Sequence, residues 1–149
     1  MFIDVVEEVV LMIRKIQGAI PISENKTASK TADSLALAVA AAKTAEDNNA
    51  TDIVILDMTG VSALFDYFVI ATGSSQRQLN AIADEIEVFL KRQMNERRLS
   101  DHTVDRTSWI VLDYGSVVVH LFDEDTRAFY SLEALWADSP RVEWKENSK

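Results

Sequence analysis

From Trp109 to Trp136 the chain reads WIVLDYGSVVVHLFDEDTRAFYSLEALW, and this stretch restricts the fold more than any other. Two apolar runs, Trp109 to Leu112 and Val117 to Phe122, are joined only by Asp113-Tyr114-Gly115-Ser116. That short loop contains a glycine able to take positive φ, so the runs are expected to return as a β-hairpin. Any sheet built on it is antiparallel in part. Asp123, Glu124 and Asp125 then place negative charge where a final helix would start, with Phe129, Leu132, Leu135 and Trp136 as its apolar face. The stretch holds two of the three tryptophans, two of the three tyrosines and one of the two histidines. It reads as a recognition surface more than a catalytic site.

The rest of the chain supplies elements to pack around that hairpin. Asp33 or Ser34 can cap a helix whose face is Leu35, Ala38, Val39 and Ala42, and Asp47-Asn48-Asn49 should end it. Its alanines allow close approach to a sheet. Ile53-Val54-Ile55-Leu56 is an uninterrupted aliphatic run, the pattern of a strand covered on both faces, and Tyr67 to Ala71 reads as a second strand. Ser75 and Gln78 then form an S-x-x-Q capping box ahead of Leu79, Ile82, Ala83, Ile86, Phe89 and Leu90, one apolar stripe at helical spacing. Thr103-Val104 marks a short edge strand. The expected architecture is α/β, a mixed sheet of about five strands flanked by helices. Phe2, Val5, Val6, Val9, Val10, Ile13 and Ile16 recur at helical spacing and predict an amphipathic helix as far as Gln17, followed by a linker from Gly18 to Lys30. The expected organisation is therefore an N-terminal extension over 1–30, a domain over 31–137 and a polar, frayed tail over 138–149.

Charge and composition exclude several function classes. With 15 basic and 24 acidic residues the formal charge is −9, which repels phosphate backbones and favours basic partners, so direct sequence-specific nucleic-acid binding is not expected. The absence of cysteine removes disulfides, thiolate catalysis and Cys-ligated zinc, and fits a cytoplasmic protein. The apolar run Val9 to Ile13 follows Asp4, Glu7 and Glu8 and is too short to span a bilayer, so neither a signal peptide nor membrane insertion is expected.

Candidate chemistry is sparse. The Gly73-Ser74 turn before a capped helix could hold phosphate, and with Asp84, Glu85 and Glu87 it resembles the Gly-Ser turn and acids of a metal-dependent nucleotidyltransferase. Those acids fall within a helical stripe, mostly on its exposed side, and a structural turn and cap is the preferred reading. Lys91, Arg92, Arg97 and Arg98 suit a solvated helix C-terminus better than a phosphate site. His120 alternates with Val118 and Phe122 and reads as a core histidine before a general base. With His102 remote, no metal site or cofactor is expected. Trp136 reads as a core or dimer anchor. Trp109, beside Thr107 and Ser108, reads as a half-exposed binding anchor. Six acids against Arg127 alone leave residues 109–138 at net −5, an acidic, aromatic surface for a basic protein.

The pieces Asp52-Ile53-Val54, Asp66 to Ser75, Trp109 to Gly115, Val118-Val119-His120, and Arg127 with Phe129-Tyr130, Leu132-Glu133 and Leu135-Trp136 together resemble the ribosomal silencing factor family, RsfS or Iojap. The resemblance covers roughly Ser34 to Trp136. Polar residues around Asp105-Arg106 replace a glycine that often precedes the tryptophan strand, and Ser116 stands where many members carry an acid. The resemblance implies a nucleotidyltransferase-like sheet without transferase activity, a homodimer, and binding to the large ribosomal subunit through ribosomal protein L-fourteen. Translation would be repressed by sterically blocking association with the small subunit. By the family's tryptophan-strand motif the implied contacts are Trp109, Asp113, Tyr114 and Ser116. Arg127, Tyr130 and Glu133 rank second, since they could equally hold the last helix to the sheet. A nucleotidyltransferase is the rival enzyme reading, and an assembly module that captures a protein with its N-terminal helix is a third.

Overall fold

The computed structural model describes residues 28–97, 100–105 and 108–145. The expected N-terminal helix and most of the linker lie outside these residues, as does Arg98. The first helix, α1, spans Ala28–Asp47 and begins before the expected cap. Ser34 is inside the helix, buried, with its hydroxyl 2.6 Å from the Ser116 hydroxyl, so it serves a tertiary contact and not a cap. The end is as expected: Asn49 turns left-handed at φ 70 and the Ala50 N–H donates back to the Ala45 carbonyl.

Strands β1 (Thr51–Asp57), β2 (Tyr67–Thr72), β3 (Ser100–Asp105), β4 (Trp109–Asp113) and β5 (Val117–Phe122) form one sheet in the order β1-β2-β5-β4-β3. The β4–β5 hairpin is antiparallel, and β5 pairs in parallel with β2, so the sheet is mixed as the sequence predicts. The crossover between β2 and β5 contains helix α2, Gln76–Met94. Because strand side chains alternate between faces, the sheet divides the core in two. On one face Ala38, Ala41, Ala42 and Ala45 of α1 and Leu79, Ile82, Ile86 and Leu90 of α2 cover Ile55, Val69, Leu112 and Val119. On the other, Met58, Phe65, Leu132 and Trp136 cover Leu56, Phe68, Trp109, Val111 and Phe122. Trp136 packs edge-on against Phe68 with ring centroids 5.1 Å apart, which makes it a core residue of its own chain.

Two expected apolar positions are corrected. Phe89 is 41% exposed, because Leu79, Ile82, Ile86 and Leu90 already complete the stripe and Phe89 falls at its border. Phe129 is 79% exposed. The expected final helix is broken in two, α3 (Glu124–Tyr130) and α4 (Leu132–Leu135), by Ser131 at φ 50, which turns Phe129 away from the face that buries Leu132.

The tail is also corrected. The Asp57 N–H donates to the Pro140 carbonyl at 2.8 Å and the Val142 N–H to the Ile55 carbonyl at 2.9 Å, while Arg141 bridges Leu56. Val142 and Trp144 pack against the helix-side core, and Lys145 pairs with Glu46 at 3.0 Å. The physical reason is that β1 lies at the edge of the sheet, where unpaired backbone groups take up the returning chain.

Candidate functional site

The loop expected to meet a partner is held rigidly. Gly115 at φ 93 supplies the left-handed turn, the Asp113 carboxylate accepts from the Gly115 N–H at 2.8 Å, and the Tyr114 N–H donates to the Val117 carbonyl. The Ser116 carbonyl accepts from the N–H groups of Asp66 and Tyr67, which ties the loop to the start of β2. Asp113 and Tyr114 are buried; Gly115 and Ser116 are the half-exposed members.

Trp109 departs from expectation. It lies at the opposite end of the hairpin from that loop, a five-residue strand away, or roughly 13 Å. Only 1% of its surface is exposed. Its ring contacts Tyr130 and Phe122, at centroid distances of 4.6 and 4.8 Å, and its indole N–H donates to His120 Nδ1 at 3.1 Å. Thr107 and Ser108 made the position look peripheral, but α3 folds across this end of the sheet and covers the ring.

His120 is a core histidine. Burial lowers its pKa to about 3, so it stays neutral. Since Nδ1 accepts from Trp109, the ring proton sits on Nε2, which is buried without a hydrogen-bond partner among the described residues. A buried ring with no path to solvent has no use as a general base.

Arg127 of α3 and Glu133 of α4 come together as a clamp, while Tyr130 packs against Trp109. The Arg127 guanidinium donates through Nε and Nη2 to Glu133 and through Nη1 to the Thr72 hydroxyl and the Asp52 carbonyl. Asp52 sits in a bulge of β1 at φ 50. Burial raises the Glu133 pKa, but the Arg127 hydrogen bonds and the charges of Arg127 and Arg141 outweigh it and hold the carboxyl below its ordinary value. Arg127 thereby ties α3 and α4 to the ends of β1 and β2.

A cleft of about 590 Å³ opens beside Thr72, Gly73 and Ser74, at the carboxyl ends of β2 and β5. Ligands commonly settle at such a place in open α/β sheets. Its other wall is Asp123, Glu124 and Asp125, which repel phosphate. The turn itself is fully employed in folding. A Cβ on Gly73 would stand 2.7 Å from Leu79 Cδ2, so the glycine permits close packing of turn on helix. Ser75 caps α2 by accepting from the Gln78 N–H, whereas the Gln78 side chain accepts from Ser74 and donates to the carbonyls of Asn48 and Asn49. Asp84 and Glu85 are exposed more than two turns along the helix, at least about 12 Å from its start, so they do not converge with Gly73. Among the described residues no group of three His, Cys, Asp or Glu side chains is placed to hold a metal ion. No helix among them is long and apolar enough to cross a membrane.

One feature escaped sequence reasoning: the outward face of α3. Asp125 and Phe129, four residues apart, share one helical face, and both are exposed. No periodic signal marks Phe129 as external.

The family model described as "RsfS: Ribosomal silencing factor during starvation" matches residues 31–149. The chain is 43% identical over 103 residues to the ribosomal silencing factor RsfS of Bacillus subtilis, covering 67% of this chain and 84% of that protein. It is 35% identical over 112 residues to the chloroplastic protein Iojap of Arabidopsis thaliana, covering 75% of this chain and 46% of that one. Among solved structures it resembles protein CV0518 of Chromobacterium violaceum, with a TM-score of 0.66 at 32% identity over 70% of this chain and 86% of that chain. A Bacillus halodurans protein structure matches with a TM-score of 0.61 at 36% identity, over 75% and 98% respectively.

Proposed function

Because the chain belongs to the ribosomal silencing factor family, we propose that it binds the large ribosomal subunit through ribosomal protein L-fourteen, blocks the small subunit from joining, and so represses translation. It would act in the cytoplasm as a homodimer. The order of the strands is read as nucleotidyltransferase-like, a scaffold whose Gly73 turn serves packing and capping in place of transfer chemistry. The observation that carries the partner reading is an exposed aromatic on an acidic surface: Phe129, 79% exposed, one turn after Asp125 on a chain of net charge −9. A basic ribosomal protein complements that charge.

The proposed contact surface runs from Ser116, at the rim of the Asp113–Ser116 loop, to the outward face of α3. An interface of about 800 Å² per partner is wide enough to include both. Asp113 and Tyr114 shape the loop from beneath. Trp109 supports α3 through Tyr130, and Arg127 with Glu133 fixes its orientation. The test is cosedimentation with purified large subunits. Phe129→Ala and Ser116→Lys should each bind about tenfold more weakly while melting like the wild type, the size expected of one interface anchor. Trp109→Ala should instead unfold early, by about 3–5 kcal/mol, the cost of truncating a buried aromatic. Wild-type pelleting by both surface variants would sink the surface assignment, and failure of the wild-type protein itself to pellet would sink the function.

A further inference from the structure

The outward face of α2 carries a pattern that neither the sheet nor the proposed ribosomal surface uses. Leu79, Ile82, Ile86 and Leu90 are buried on the side that meets the sheet. Val88 lies on the opposite side and is 42% exposed, and Ala81, two turns earlier, is exposed on the same stripe. At about 3.6 residues per turn, Asp84 and Lys91 fall within about 60° of Val88 on one side of it, and Glu85 and Arg92 within about 60° on the other. All four are exposed. Each flank thus has an acid and, seven residues on, a base.

These acids are not placed to be satisfied within their own helix. A separation of seven residues is about 10 Å along the axis, and neither Asp84 nor Glu85 has a base three or four residues away. A second copy of the same face supplies what is missing. When two such helices run antiparallel about a two-fold axis at Val88, each flank meets its own counterpart in reverse order. Asp84 then faces the partner's Lys91, and Glu85 faces the partner's Arg92. With both copies counted, every one of these charges meets its opposite. Laid parallel, acid would meet acid and base would meet base.

We propose that α2 is the dimer contact, two copies packing antiparallel with Val88 at the two-fold axis. The proposal rests on the homodimer reading above and supplies its interface. Tyr130 of α3 and Leu132 of α4 pack on the other face of the sheet, so a dimer built through α2 leaves α3 of each copy open to the ribosome. The contact runs from Ala81 to Asn95, about 21 Å along the helix. One helix pair of that length buries less than the roughly 2,000 Å² of a permanent dimer. Its ion pairs also border solvent, so the dimer is weak, with a dissociation constant of about 1–100 µM, and loosens as salt rises.

Sedimentation velocity on the full-length protein, with no ribosomes present, separates this test from that of the function. One variant makes the face all acidic, Lys91→Glu with Arg92→Glu, and a second makes it all basic, Asp84→Lys with Glu85→Lys. Each alone should dimerise at least about tenfold more weakly than the wild type, since every pair across the axis becomes repulsive. Mixed in equal amounts they should form heterodimers about as tight as the wild-type dimer, because each pair is again acid against base. The chain has no native cysteine, so Val88→Cys reads the register directly. Opposite its own counterpart, it should form an intermolecular disulfide under mild oxidation about tenfold faster than Gln93→Cys, which lies off the stripe. Wild-type protein that is monomeric at about 300 µM, leaving this face to a different partner, would overturn the dimer together with its interface. Wild-type dimers matched by either variant alone, no recovery on mixing, or equal disulfide rates would overturn the interface alone. None of these outcomes bears on whether the protein pellets with large subunits.

Discussion

At the scale of single residues the Trp109–His120 pair determines what the sheet can do. A histidine with a donor on Nδ1 and no solvent access is held as one neutral tautomer, which fixes the neighbouring indole in place. The same burial sets a pH dependence. The folded pKa of about 3 lies below the ordinary 6.5, so between those values the unfolded chain binds more protons than the folded one. The stability tied to a neutral His120 is therefore complete above pH 6.5 and is lost as pH falls toward 3. Each pH unit within that window removes about 1.4 kcal/mol. Urea unfolding at pH 7 and pH 5 should show a drop in the wild type that is smaller by about 2 kcal/mol in His120→Gln, which has nothing to titrate there. Identical acid limbs for the two proteins would show that His120 is not protonated on unfolding.

At the scale of elements, short helices are stable here because side chains tie them across the fold. Helix α3 has only seven residues, too few to persist alone, and depends on its Asp123 cap and on Arg127. Burial and hydrogen bonding differ along this clamp, with the Arg127 side chain 11% exposed and that of Glu133 23%. Removing the arginine strands a partly buried carboxylate, at a cost below the full penalty for a dry ion pair. Arg127→Ala should lower stability by about 1–3 kcal/mol in urea titrations, and Arg127→Lys should recover little of it, since an ammonium cannot reach Glu133, Thr72 and Asp52 in a planar fork. Full rescue by lysine would mean that charge alone matters. Helix α2 depends on a similar tie, as Gln78 reaches both its own N-terminus and the turn that ends α1.

At the scale of the whole molecule, the end of the chain completes the sheet. Residues 140–142 cover the free edge of β1, and Val142 and Trp144 add apolar contact with the helix-side core. Deleting 138–149 should cost about 2–4 kcal/mol, the burial of one or two apolar side chains. It should also expose an edge prone to pairing with other chains. Light scattering on the truncated protein should show concentration-dependent association beyond that of the intact chain. An unchanged urea midpoint with unchanged scattering would show the tail to be dispensable.

The amino-acid order by itself determined the elements whose signals are local. Ser75 with Gln78 announced α2, Asn48 and Asn49 announced the end of α1, and two apolar runs around Gly115 announced the hairpin, because capping, left-handed turns and tight loops are properties of neighbouring residues. The family was legible for a related reason, since it rests on the order of several short pieces. What only the tertiary structure decided was which surfaces survive. Whether Trp109 faces solvent depends on where α3 lands, and Phe129 is external because Ser131 breaks a helix that apolar spacing alone would have continued. The polar tail was equally unreadable in advance: its order comes from backbone groups on the edge of β1, and an open edge belongs to an assembled sheet. Trp109, expected at the surface, is buried against Tyr130, and Phe129 is the exposed aromatic on which the proposed recognition surface rests.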